Sequence, residues 1–216
     1  MFIGHFGAGF AGKKFAKRPS LGTLFIAAQF IDLLFPILLI LGLESVKIEP
    51  GNTVVTPFNF INYPISHSLL GVLLWSLLVG GIYYYFKKDK HSSVVLGLLV
   101  LSHWVLDLIS HRPDLPVIPG VDWFVGFGLW NSLPATIIIE GAIFGLGIYY
   151  YLASTTAKNK TGLYAFWGLI VFLVVAYFSS LFGPVPSSEE PFGYVGLSQW
   201  LLVAWGYWID KNRENK

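Results

Sequence analysis

Three residues able to bind a metal or move a proton, His103, Asp107 and His111, recur every four positions in Leu101–Pro116, LSHWVLDLISHRPDLP, inside an otherwise apolar stretch. On a helix they fall within roughly an 80° arc and climb one wall at about 6 Å per step. The HxxxD pair His103/Asp107 suits either two metal ligands or a carboxylate that orients a histidine. His103 and His111 would stand about 12 Å apart, too far for one ion whose ligand bonds are about 2.0–2.2 Å. Two neighbouring ions bridged near Asp107 fit that spacing better. Pro113 disfavours helical geometry at Arg112, so the helix is expected to end around His111, with the polar HRPD segment capping it where it leaves the membrane.

A helix of this kind needs a bundle around it, and the composition supplies one. Of 216 residues, 55% are hydrophobic and only 12% charged, which excludes an ordinary soluble domain and points to an integral membrane protein. The absence of Cys removes thiolate sites, so a metal would be held by His and carboxylate. A net charge of +2, carried in short clusters at helix ends, gives no nucleic-acid footprint. Six apolar runs, at 20–43, 66–86, 94–109, 133–151, 163–182 and 194–209, approach the length that crosses about 30 Å of hydrocarbon. The expected fold is all-α, one transmembrane helical domain over residues 1–216. The first seventeen residues add a short helix, either half inserted in the membrane or lying at its interface; with their basic residues after the apolar run, they are not read as a secretory signal.

Lys13, Lys14, Lys17 and Arg18, then Lys87, Lys88 and Lys90, Lys158 and Lys160, and Lys211 and Arg213 fall on one side of such a bundle. Glu44, Glu49, Asp114, Asp122, Glu189 and Glu190 fall on the other. By the positive-inside rule both termini are cytoplasmic and the loops at 44–65, 110–132 and 183–193 face outward.

Counting about 1.5 Å per residue from the basic boundary puts Asp32, His103 and Glu140 at about 17–18 Å, Asp107 at about 24 Å, His67 at about 28 Å and His111 at about 30 Å. Four helices thus bring ligand-type residues to one zone that is expected to open outward. Each unpaired ionisable group at such depth costs at least about 2.5–3.5 kcal/mol, a cost that mutual pairing or a metal removes. If the N-terminal helix is half inserted, His5 lies about 18 Å deep, level with Asp32 and Glu140, and the spacing of Gly4, Ala8, Gly12 and Ala16 permits close packing. If it lies flat, His5 is an interface residue. His91, among Lys88, Asp89 and Lys90, reads as a solvated loop residue. Asp114 is either a partner of the site or a turn residue before Pro116.

GHFG near the start, the Gln29/Asp32 pair, YPISHSLLG at 63–71 and SHWVLDLISHRPDLP resemble the bacterial membrane-bound metal-dependent hydrolase-like family of small inner-membrane proteins. The resemblance runs through GLWNSLPATIIIE at 128–140; beyond about residue 155 no specific motif is shared. A looser similarity is to zinc-dependent phospholipases C, whose HxxxD with a bridging Asp would fall on His103 and Asp107. Their HxxxE is not matched, since Thr136 stands four before Glu140. The matched depths, with a metal site implied by the resemblance, give an expected centre of His5, Asp32, His67, His103, Asp107 and Glu140 holding two ions, zinc with manganese as the alternative, and His111 or Asp114, near the mouth, as general acid. The expected activity is hydrolysis of a phosphoester or ester of a membrane lipid, with Arg112 and Trp104 meeting the headgroup. Two alternatives stay open: a transporter or proton/metal conductor using the same cluster, and an assembly factor whose polar cluster fixes helix packing.

Overall fold

The computed structural model describes residues 1–216 apart from the side chain of Glu190, so the assignment of that residue to the acidic side lies outside the described residues. In chain order the elements are α1 (Ile3–Phe15), α2 (Leu21–Ala28), α3 (Phe30–Ile40), β1 (Ser45–Ile48), β2 (Phe58–Asn62), α4 (Pro64–His67), α5 (Leu69–Lys87) and α6 (Lys90–Ser110). Then follow β3 (Leu115–Pro116), β4 (Phe124–Val125), α7 (Leu133–Ser154), β5 (Thr155–Ala157), α8 (Lys160–Phe182), α9 (Glu190–Leu197), α10 (Gln199–Lys211) and β6 (Arg213–Asn215). The six strands make three small antiparallel pairs, β1–β2, β3–β4 and β5–β6, so the architecture is an all-α membrane bundle with short two-stranded ribbons.

Helix starts coincide with side chains that satisfy first-turn N–H groups: Ser20 accepts from Thr23, Ser68 from Gly71, Asp89 from Ser92 and Asn159 from Gly162. α6 stops at Ser110 and His111 is already extended, one residue ahead of Arg112, where Pro113 disfavours helical geometry.

The expected six spans are reduced. α5, α6, α7 and α8 are each long and apolar enough to cross a membrane, and the first apolar run adds a fifth only as α2 and α3, which meet at Gln29 with a 60° bend. The last run is two helices of 8 and 13 residues broken at Ser198, neither long enough to cross alone.

α1 packs within the bundle rather than across its surface. Its Phe6 and Phe10 are buried against Phe25, and Phe10 also meets Phe144, Tyr151 and Phe166. The closest backbone approach runs through Gly7: a Cβ there would sit 2.7 Å from the Ile143 carbonyl, and one on Gly147 would strike the Gly7 carbonyl. Of the predicted small-residue register, Gly12 lies against Leu24 and Leu99, Ala8 packs on the neighbouring core cluster and Ala16 is buried, while Gly4 lies against Met1.

The basic clusters gather at one end. Lys17 donates to the Lys216 carbonyl at 2.6 Å, Arg18 lies 3.6 Å from Asp89, and Lys158 reaches the Lys211 carbonyl at 3.4 Å.

Candidate metal centre

α6 carries His103 and Asp107 one turn apart, with His103 Nε2 3.2 Å from Asp107 Oδ2. The start of α3 brings Asp32, whose Oδ1 stands 3.6 Å from His103 Nε2 and 3.6 Å from His67 Nε2. α4, a single turn opened by Pro64, presents His67, whose Nε2 is also 3.9 Å from Asp107 Oδ2. α1 brings His5, its ring stacked on that of His103 at 3.6 Å and its Nε2 3.0 Å from Asp107 Oδ1. The amine of Met1 donates to the same oxygen at 2.6 Å.

The outward nitrogens decide the tautomers. His103 Nδ1 is 2.9 Å from the Ala28 carbonyl, an acceptor only, so Nδ1 carries a proton, and in the neutral imidazole Nε2 meets the two carboxylates as an acceptor. His67 Nδ1 is 2.6 Å from Ser66 Oγ, which donates at 2.6 Å to Glu44 Oε2. A hydroxyl has one proton, so His67 Nδ1 must donate to Ser66, and Nε2 again faces inward as an acceptor. Two imidazole nitrogens and two carboxylate oxygens therefore point at one another, and His103 Nε2 is a buried atom without a hydrogen-bond partner.

The separations of 3.2–3.9 Å across this quartet are long for hydrogen bonds. Three of them, 3.2–3.6 Å, lie close to the about 3.3–3.6 Å edges of a tetrahedron of ligands placed about 2.0–2.2 Å from one ion, and the fourth, His67 to Asp107, is longer at 3.9 Å. Metal-capable groupings His5/His103/Asp107 and Asp32/His67/His103 are both present, with ligand atoms within 4.8 Å of one another. His103 belongs to both, and its single free nitrogen can serve only one ion, so the geometry supports one position more directly than the expected pair.

Glu140 stands outside these groupings. Its Oε2 accepts from the backbone N–H of Phe2 at 2.8 Å and Gly4 at 3.3 Å, which makes it the acceptor for the otherwise orphaned start of α1. His111 and Asp114 also form a separate group: Nδ1 lies 3.0 Å from Asp114 Oδ1, and the Tyr63 hydroxyl donates to the Asp114 carbonyl at 3.0 Å. Burial and then the Asp114 carboxylate push the Tyr63 phenol well above its usual pKa, so it remains a donor. Tyr63 links this group to the centre, its ring 5.0 Å from His67 and 6.1 Å from His111.

The expected outward mouth is covered. His111 is only 3% exposed, under Trp130 at 4.4 Å and Phe60 at 5.0 Å. Arg112 is held by Asp114 and Asn59, and Trp104 is buried. Asp32 is the open member of the converging set, with 27% of its side chain exposed against at most 4% for His5, His67, His103 and Asp107.

Glu44 and Ser66 were missed by the sequence reading, although Ser66 adjoins His67 and Glu44 is an acidic residue directly after the first apolar run. His91 lies away from the centre, with Nε2 2.7 Å from the Phe15 carbonyl at the basic end.

A family model described as YdjM inner membrane protein matches residues 49–183, more than half of the chain, and the chain belongs to that family. The matched stretch holds Glu140, the quartet members His67, His103 and Asp107, and the His111/Asp114 pair, whereas His5, Asp32 and Glu44 precede it. It also continues past the point where the sequence motifs run out. No curated protein and no solved structure matches the chain.

Proposed function

We propose that this member of the YdjM inner membrane protein family is a metal-dependent hydrolase acting on a phosphoester or related ester of a membrane lipid. The observation that carries the reading is the convergence of His67 Nε2, His103 Nε2, Asp32 Oδ1 and Asp107 Oδ2, four facing acceptors when both imidazoles are neutral. A cation is what such a set lacks, and mixed His and carboxylate ligands suit zinc or manganese. When bound, a divalent ion there would supply Lewis acidity and a water of lowered pKa.

The surrounding residues prepare that chemistry. His5 and the Met1 amine occupy Asp107 Oδ1, which leaves Oδ2 directed at the quartet. The Ala28 carbonyl and the Ser66–Glu44 pair lock the two imidazoles with Nε2 inward. Asp114 orients His111 through Nδ1, so Nε2 is the nitrogen from which a proton would pass to a leaving group. A second zinc, if bound, would have to draw on His5 and the oxygens of Asp107 and Glu140. The conduction alternative is weakened by the aromatic fill between the centre and the basic end, where Phe6, Phe10, Phe25 and Phe166 pack ring against ring.

The test is elemental analysis of protein purified without chelator, followed by incubation in phosphatidylethanolamine/phosphatidylglycerol vesicles with product detection by mass spectrometry. The expected result is about one transition-metal ion per chain and a hydrolysed lipid that disappears in His103→Ala. Absence of metal after reloading with Zn²⁺ or Mn²⁺ would sink the centre, and bound metal with no hydrolysis would sink the lipid-hydrolase reading.

The orientation is part of the same proposal. With the basic end cytoplasmic, D122C should react with an impermeant maleimide from outside and N159C only from inside. The reverse pattern would overturn it.

A further inference from the structure

The flank at α3 combines three unrelated features. Asp32 is 27% exposed there, although an ionisable side chain opening onto hydrocarbon costs at least about 2.5–3.5 kcal/mol. That flank therefore has to meet something polar. Two helix breaks frame it: α2 bends into α3 at Gln29, and α9 gives way to α10 at Ser198. Pro36 has no N–H for the Asp32 carbonyl, and Gln199 Nε2 approaches that carbonyl at 3.5 Å instead.

The third feature is three amide atoms with nothing to bond. Gln29, one turn before Asp32 and 1% exposed, has neither Oε1 nor Nε2 paired, and Gln199 Oε1 is likewise buried without a partner. Unpaired buried polar atoms are costly, on the order of 1–3 kcal/mol each, and such costs are characteristic of places prepared for a ligand.

We propose that the centre is entered sideways from the membrane, through the flank where α3 meets α9 and the first residue of α10, and that Gln29 and Gln199 receive the polar headgroup of a phospholipid there. The amide N–H groups suit phosphate oxygens, and the amide oxygens suit a hydroxyl or ammonium on the same headgroup. A lipid arriving from the side never has to pass the His111–Trp130 cover. This inference rests on the lipid-hydrolase reading, because it assigns the substrate's route to that centre.

Photo-crosslinking tests it in nanodiscs of phosphatidylethanolamine and phosphatidylglycerol, doped with a phosphatidylethanolamine that carries a diazirine either on the headgroup or at the acyl terminus. The headgroup probe is expected to label peptides spanning 29–36 and 198–202. Gln199→Leu, a partly exposed site that tolerates change, should reduce that labelling several-fold, and Gln29→Leu should reduce it further, with acyl-terminus labelling unchanged.

Headgroup labelling confined to loops 44–65 and 110–132 would overturn the side entrance, as would labelling of α3 by the acyl probe alone. Labelling indifferent to both Gln substitutions would overturn the role of the amides. Metal content measured on the same samples separates the two readings. Metal-loaded protein without flank labelling refutes the entrance only, and a labelled flank in protein that binds no metal refutes the hydrolase only.

Discussion

α1 buries polar groups at both of its ends and treats them in opposite ways. Near its C-terminus, Lys13 is paired: Nζ donates to Asp210 Oδ2 and the Pro19 carbonyl, both at 2.9 Å, while the Tyr151 hydroxyl donates to the other Asp210 oxygen at 2.9 Å. Near its N-terminus, His5 reaches a group in which acceptors face acceptors, and its own Nδ1 is left without a partner. An ion pair whose cation and both carboxylate oxygens are engaged by protein partners is a structural clamp. A buried set with matched spacing and missing donors retains its capacity to bind. The contrast separates function from architecture within one thirteen-residue helix.

The sharpest way to break this contrast is to remove a member of the open set. His103→Ala and Asp107→Ala are each expected to abolish metal binding by elemental analysis while the protein still unfolds cooperatively in detergent. Metal content equal to that of the parent in both variants would erase the distinction between the two ends. Next in size is the clamp. Lys13→Met leaves Asp210 buried without its cation, and a loss of about 3–5 kcal/mol is expected in denaturant unfolding with metal stoichiometry intact. Adding Asp210→Leu should recover most of that loss, and a lost metal site in the folded Lys13 variant would show that the two ends are coupled.

A smaller effect is expected from the residues behind His67. Ser66→Ala removes the acceptor for Nδ1 and disconnects Glu44, so metal affinity should fall about 10–100-fold without being abolished. Competition with a calibrated chelator measures it, and an unchanged affinity would demote the Glu44–Ser66–His67 chain to a helix-start motif.

The same contrast explains what sequence can reveal. Depth counting relies on the fixed rise of a helix, so it brought Asp32, His67, His103 and Asp107 to one zone, and the length of the first apolar run allowed α1 to carry His5 there. Depth carries no azimuth. Glu140 shares the level of Asp32, yet its Oε2 takes the first N–H groups of α1, because the helix start is the nearer unsatisfied partner. Hydropathy also does not register a bend: the first run remains apolar through Gln29, and Pro36, the visible breaker, lies seven residues beyond the actual break. Glu44 reaches His67 through the turn at 63–66, a tertiary closure with no periodic signal, and the Tyr63–Asp114 contact arises in the same way.

The smallest expected effect concerns His91, the histidine outside the centre. Its Nε2 bonds the Phe15 carbonyl, one of the last acceptors of α1, so it helps to finish the helix whose other end enters the centre. A single hydrogen bond of this kind contributes about 0.5–1.5 kcal/mol, and the exposure of His91 places it toward the lower figure. His91→Ala should therefore keep full metal content and lower stability by about half a kcal/mol in denaturant unfolding. If this substitution released metal, the end of α1 at the basic face would be controlling the position of His5 about 15 Å away along the helix, and the clamp and the centre would have to be treated as one unit.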